Sequence, residues 1–402
     1  VKVIFGLILL FWLALHTSQS LLDLSDFLLV IAALWTAYKA GELKRLWTTY
    51  RPWMLWPVWL LVVILGFIFG APVETKVALQ LTWEFRWFVS LLCFIYLMAK
   101  IPWDEKQLRV MTLLFFLISL LDFALFFIDY TKDPRAGGLF GHSMPFAHTM
   151  GPAALMFLFL GVKKFREVGQ SPFWKSVYLV TPLLASLMVV LSFTRGVWIG
   201  FAVGLLFCTA FLGRKVFVTA IVTLIVAGGA MFAGSQRIRQ RVMGSTNAES
   251  QSDNERLLYW RANLQIFKDY PLVGIGYSQN NVHVEEYLRK DGVEWLQGAH
   301  AHNQYIHFLS GTGILGLICY LVFLYFLFWP ILLQAMRWRK ERVTTDQFYL
   351  LVGILAGMVC FVVGSLTESN FSIAKNRFLF LFIASIAYGI YLRHRAAHVK
   401  SR

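Results

Sequence analysis

Three histidines fall within eight residues in the run Ala299-His300-Ala301-His302-Asn303-Gln304-Tyr305-Ile306-His307. Their spacing is not that of a zinc-binding helix, and no cysteine or neighbouring carboxylate completes a shell, so no metal is expected here. A histidine at the mouth of a helix suits a general base, or an anchor that hydrogen-bonds a hydroxyl. His302 is the candidate for that role, with His300 and Asn303 beside it as candidate substrate-binding groups. Arg195 interrupts an apolar stretch at Ser192-Phe193-Thr194-Arg195-Gly196-Val197-Trp198. Ionisable residues bordering membrane helices are costly and are functional candidates, and a topology-setting arginine would more naturally stand at the opposite face. Arg256 opens an amphipathic stretch, with Arg261 further along it. A guanidinium fork matches the oxygen pair of a phosphate or pyrophosphate, although a surface pair with Asp253 or Glu255 reads equally well from the spacing. Arg135 and His142, with His148 beyond them, precede another helix. Glu368, Lys375 and Arg377 stand before the last helix. Each is a weaker candidate for binding substrate, of interest because the topology places it on the face that carries Arg195.

These residues need helices to hold them. Of the 402 residues, 58% are hydrophobic and only 15% charged, which excludes a soluble protein. Apolar runs fall near 1–16, 21–38, 53–70, 83–99, 108–128, 144–162, 175–193, 196–213, 216–234, 305–333, 347–367 and 377–392. Their length is that of a bilayer-crossing helix, and they do not alternate as barrel strands do. The expectation is an all-α integral membrane protein of about twelve transmembrane helices. Nine would lie in 1–234, a periplasmic loop would span 235–304, and three helices with a cytoplasmic tail would fill 305–402. The first run lacks a small-residue cleavage site and reads as a retained helix, not a signal peptide.

Net charge is +15, and its distribution argues against nucleic acid. With the amino terminus inside, 22 of the 37 basic residues fall in inner loops, eight in the long loop and seven in short outer segments. The positive-inside rule then places both termini in the cytoplasm and the long loop outside. Cys93, Cys208, Cys319 and Cys360 all lie in apolar runs, so no disulfide framework is implied. Within the loop a polar run, 244–252, precedes a helix that Asp253 or Asn254 would cap. Leu257, Trp260, Leu264 and Phe267 would form its apolar stripe, laid along the membrane or over the bundle. Pro271 and Gly274-Ile275-Gly276 would end it. No nucleotide-binding motif appears, so an enzyme on the exported face would need a donor activated before export; a lipid-linked sugar pyrophosphate meets that requirement.

Three segments in order resemble the O-antigen ligase and polymerase superfamily of bacterial membrane glycosyltransferases. Thr194-Arg195-Gly196-Val197-Trp198 is similar to its S/T-R-G-x-W segment. Glu255-Arg256-Leu257-Leu258-Tyr259-Trp260 through Pro271-Leu272-Val273-Gly274-Ile275-Gly276 is similar to its loop motif. His302-Asn303-Gln304-Tyr305 with Gly311-Thr312-Gly313-Ile314-Leu315-Gly316 is similar to its H-N-x-Y and G-x-x-G helix start. The resemblance covers roughly 180–390; the first half agrees only in hydropathy. It implies a GT-C-type bundle in the bacterial inner membrane with a periplasmic active site, independent of metal and cofactor. Such an enzyme would move a glycan from undecaprenyl pyrophosphate to a hydroxyl of lipid A-core, with inversion at the anomeric carbon as the expected outcome of a single displacement. Carried onto this chain, Arg195 and Arg256 would hold the pyrophosphate and His302 would serve the acceptor hydroxyl.

Two features favour a ligase within that superfamily. The Glu368, Lys375-Asn376-Arg377 stretch resembles one found in ligases, and Gly141-His142-Ser143-Met144-Pro145 lacks the asparagines of many polymerases. The competing readings are a repeat-unit polymerase, a protein O-oligosaccharyltransferase and, from another class, a secondary transporter. Transport is disfavoured because no half-to-half similarity is visible and the ionisable residues gather at one face.

Overall fold

The computed structural model describes residues 1–48, 50, 55–70, 75–129, 135–243, 247–277, 279–297 and 300–400. Among them every regular element is helical. In order these are α1 (Lys2–His16), α2 (Gln19–Lys39), α3 (Leu43–Thr48), α4 (Leu55–Phe69), α5 (Thr75–Met98), α6 (Glu105–Asp129), α7 (Ser143–Arg166), α8 (Pro172–Leu191), α9 (Arg195–Leu212), α10 (Arg214–Gly234), α11 (Gln236–Met243), α12 (Asn247–Asp269), α13 (Asn280–Lys290), α14 (Gln304–Lys340), α15 (Asp346–Gly364) and α16 (Ala374–Lys400). Single 3₁₀ turns stand at Gly138–Phe140 and Asn370–Ser372. Each of the twelve apolar runs has its own helix, and Thr194 does separate α8 from α9. Among the described residues, eight helices are long and apolar enough to cross a bilayer: α2, α6, α7, α8, α9, α10, α14 and α15. The chain is a helical membrane protein.

Helices α7 and α15 are the most buried of the eight, and α10 is buried almost nowhere, which puts α7 and α15 inside the bundle and α10 at its edge. Small residues set its neighbours. Gly196, Gly200 and Gly204 recur every fourth residue on α9, and a Cβ at the last two would run into the Cys360 and Ala356 carbonyls of α15. In lipid, where helices gain no hydrophobic drive by meeting, such close backbone approach is what holds them together. On the other side of α15, Gly353 and Gly357 lie against the Met156 and Pro152 carbonyls of α7.

The connecting segments sort to two ends. At one, Lys163 and Lys164 of α7 pair with Asp346 at 2.5 and 2.8 Å, Lys100 pairs with Glu42 at 2.5 Å, and Gln347 donates to the Pro102 carbonyl at 2.7 Å. At the other, Arg135 donates to the Ser192 carbonyl at 3.1 Å, Asn303 to the Leu366 carbonyl at 3.0 Å, and Lys375 to the Thr17 carbonyl at 2.9 Å.

The long connection differs from expectation in two respects. Helix α12 starts at Asn247, well before the Asp253 or Asn254 cap, so part of the polar run is helical; residues 244–246 lie outside the described residues. Its buried stripe is Tyr259, Ala262, Asn263 and Ile266, of which Tyr259, Ala262 and Ile266 form a small second core with Ile275, Val284, Tyr287, Leu288 and Leu296. Of the expected stripe, Leu257 and Leu264 are exposed instead. The helix lies over the bundle by one face and turns an apolar edge outward, as a helix at a membrane surface does.

Candidate active site

The turn after α12 docks backbone to backbone on the start of α14. Ile275 and Gly276 donate to the Ser310 and Gly311 carbonyls at 3.0 and 3.1 Å, and Ile314 and Leu315 return bonds to the Pro271 and Leu272 carbonyls at 2.9 and 3.2 Å. Gly274 and Gly313 make this possible. Both have positive φ, 71° and 65°, and a Cβ on either would fall within the opposing backbone. The joint breaks α14 at Gly313 and fixes α12 against the segment that carries the histidines. A buried polar lock backs it. Asn280 Nδ2 donates to Asn263 Oδ1 at 3.1 Å and to Ser310 Oγ at 2.9 Å, and lies 2.8 Å from His307 Nδ1. His307 is therefore a satisfied core histidine.

Asn303 caps α14, its Oδ1 accepting from the Tyr305 and Ile306 amides at 3.0 and 3.1 Å. Gln304 clamps the segment between α15 and α16, accepting through Oε1 from the Phe371 and Ser372 amides at 2.7 and 3.2 Å. That clamp delivers Glu368. Its carboxylate, 1% exposed, lies 2.6 Å from His300 Nε2 and 3.3 Å from His302 Nδ1, and accepts from the Ser369 amide at 2.9 Å. The expectation that no carboxylate stands near the histidines is thereby overturned: Glu368 is brought in from 66 residues away. Burial works to raise the Glu368 carboxyl, but the hydrogen bonds it accepts from His300 and His302 outweigh it and hold the group well below the usual glutamate range. An ionised carboxylate only accepts, so the His302 proton sits on Nδ1 and the lone pair is left on Nε2. His302 is held at φ 48°, left-handed backbone that costs a residue bearing a Cβ on the order of 1 kcal/mol.

His300, His302 and Glu368 also bring three ligand atoms within 4.8 Å of one another, a set that could close around a divalent cation. Hydrogen bonding already occupies the carboxylate, and chelation distinguishes the two uses.

Beside this trio is a cleft lined by Arg135, Met144, His148, Thr194, Arg195, Gly196, Arg256 and Thr367. Thr367 adjoins Glu368, and Tyr259, one turn beyond Arg256, stands 6.0 Å from the His302 ring. The local sequence explains where Arg195 stands. It is the first residue of α9, Gly196 lies tight against Thr367, and the Trp198 indole donates to the Val189 carbonyl at 3.0 Å, tying α9 to the end of α8. The cleft thus receives three guanidiniums and the amino-terminal end of a helix, whose amides and dipole both favour an anion.

The other sequence candidates stand apart from this lining. Arg261 pairs with Asp291 at 3.0 Å on the exposed side of α12, and His142 is exposed just before α7. Lys375 reaches the end of α1. Arg377, buried, donates to the Phe371 carbonyl at 3.0 Å and so braces the turn after Glu368. Sequence reading passed over Gln304, Asn263, Asn280 and Thr367. Only the polarity of Asn263 within an apolar helical stripe signals one of them.

The fold is that of a polytopic helical membrane protein, and at one end of it a carboxylate-held histidine lies beside an arginine-lined cleft. Residues 180–321 match the family model described as O-antigen ligase, a span that contains Arg195, Arg256, His300 and His302 but ends before Glu368. The match covers about a third of the chain and supports an O-antigen ligase/polymerase family assignment, a family of membrane glycosyltransferase-like enzymes. No curated protein matches the chain.

Proposed function

We propose that the protein is an O-antigen ligase of the bacterial inner membrane, transferring a glycan from undecaprenyl pyrophosphate to a hydroxyl of lipid A-core. The observation that carries this reading is the pairing of Glu368 with His302 next to the cleft of Arg135, Arg195 and Arg256. In this reading all twelve apolar helices span the membrane as a GT-C-type bundle, residues 1–234 and 305–402 form the membrane portions, and 235–304 is a periplasmic loop.

Each group then has a task. Glu368 keeps the His302 proton on Nδ1, so Nε2 takes the proton of the acceptor hydroxyl as its oxygen attacks the anomeric carbon. The bond from that carbon to the diphosphate breaks, and the electron pair leaves on the diphosphate. Arg195, Arg256 and Arg135 meet the growing charge, which is greatest in the transition state and so lowers the barrier. These guanidiniums supply the positive charge a metal would otherwise bring, which favours a metal-independent reaction. Attack opposite the leaving group inverts the anomeric centre.

The test is reconstitution of the purified protein with undecaprenyl-pyrophosphate-linked glycan and lipid A-core, in chelator, with detection of the glycan-capped lipid. The product is expected to form, and His302→Ala to lower its rate on the order of 10²- to 10⁴-fold. Arg195→Ala and Arg256→Ala should each cost on the order of 10²- to 10³-fold. Lengthening of the donor lipid with core ignored replaces the ligase by a polymerase, and loss of product on chelation moves the histidine trio to a metal.

A further inference from the structure

Helix α7 contributes one imidazole to the arginine cleft that the mechanism above does not use. His148 is 2% exposed and lines the cleft with Arg135, Arg195 and Arg256. Its Nδ1 lies 2.8 Å from Asn370 Nδ2, in the turn that follows Glu368.

The surrounding hydrogen bonds decide where the imidazole proton sits. Asn370 Nδ2 also reaches Ser365 Oγ at 3.3 Å, and that hydroxyl spends its own proton on the Phe361 carbonyl at 2.8 Å. The serine oxygen can therefore only accept from Asn370, which turns the amide nitrogen toward both Ser365 and His148. On its other side Asn370 Oδ1 accepts from Asn376 Nδ2 at 3.3 Å, which agrees with that orientation. Asn370 thus donates to His148 Nδ1, which must be the lone-pair nitrogen, and a neutral imidazole then carries its proton on Nε2. His148 Nε2 is buried and has no hydrogen-bond partner among the described residues.

A buried donor without an acceptor is costly and calls for an explanation. Of the other groups lining the cleft, the guanidiniums donate and cannot accept, and neither the Thr194 nor the Thr367 hydroxyl bonds His148 Nε2. An anion entering the cleft supplies the acceptor that Nε2–H lacks.

We propose that His148 is a further binding residue for the diphosphate of the lipid donor, its neutral Nε2–H hydrogen-bonding a diphosphate oxygen alongside the arginines. This rests on the ligase reading above and deepens it. A neutral donor adds direction without charge, so it orients the diphosphate and leaves charge neutralisation to the arginines.

The experiment is binding of undecaprenyl pyrophosphate and undecaprenyl phosphate to the full chain in nanodiscs. His148→Phe should weaken the diphosphate Kd on the order of ten- to a hundredfold, the loss of one hydrogen bond to a charged acceptor. His148→Gln, whose amide nitrogen can stand where imidazole Nε2 stands, should recover most of it. Histidine-¹⁵N NMR of the wild type gives a readout that survives a misfolded phenylalanine variant. The Nε2–H resonance absent from His148→Gln should be present without ligand and shift when inorganic pyrophosphate is added. Equal diphosphate binding by wild type and His148→Phe overturns the inference and leaves the ligase intact, as does a proton found on Nδ1. A wild type that binds neither lipid overturns both.

Discussion

Glu368 is nearly enclosed, yet it carries a charge that burial opposes, and what keeps it ionised is the pair of imidazoles on its two oxygens. Replacing it with glutamine keeps the shape and removes the charge that selects the His302 tautomer. We expect Glu368→Gln to lower kcat on the order of 10²- to 10⁴-fold while the donor Kd changes little, because the loss falls on the base and not on the anion cleft. The sign of its pH effect follows from a carboxyl held below its ordinary value of 4.5. Such a group contributes its full stability above that ordinary value and loses it only as pH falls through the lowered one. The difference in thermal stability between wild type and Glu368→Gln should therefore be constant through the neutral range and close only in strong acid. A difference that closes near pH 6 would show the carboxyl to be protonated there. His302 was legible as a residue type at a helix mouth. Its partner was not, since a contact spanning 66 residues depends on the Gln304 clamp, which leaves no local pattern in the chain.

Helices were the most legible scale, because hydrocarbon leaves the backbone no partner but itself and the apolar runs record that directly. The loop helix was read less well. Its outward stripe of Leu257 and Leu264 is the stronger hydrophobic signal, while the inward stripe depends on Tyr259, Ala262 and Asn263, whose burial is decided by α13 and α14. How elements are joined also follows from small residues. Gly274 has positive φ and meets the Gly311 backbone, whereas Gly169, at φ 85°, has nothing near it. Gly169→Ala should thus cost only the backbone preference, about 1 kcal/mol. Gly274→Ala adds a collision that nothing can absorb locally, for a total of roughly 2–5 kcal/mol, and should lower activity as well because α12 carries Arg256. Thermal unfolding in detergent compares the two. Equal losses would mean the joint between the turn and α14 yields, and that it does not position the site.

At the scale of the whole molecule, the His300–His302–Glu368 trio, the arginine cleft and α12 share one end of the bundle, while the Lys163–Lys164–Asp346 and Lys100–Glu42 clusters mark the other. Basic residues of the short loops are concentrated at the lysine-rich end, and the proposed reading therefore puts that end in the cytoplasm. The mechanism depends on this polarity. A donor that brings its own leaving group needs no nucleotide, and such a donor is required only where nucleotides are absent. Two exposed positions report the assignment. Val168, 96% exposed between α7 and α8, stands at the lysine-rich end, and Trp295, 60% exposed, stands in the long connection after α13. Of the native cysteines, Cys93, Cys208 and Cys360 are buried and Cys319 lies partly buried in α14, so the unsubstituted chain sets a low background. In intact spheroplasts an impermeant maleimide should label Trp295→Cys and leave Val168→Cys untouched until the membrane is opened. Labelling in the reverse order would put the histidine and the arginines in the cytoplasm, among nucleotide-activated sugars, and the case for a lipid-linked donor would lose its premise.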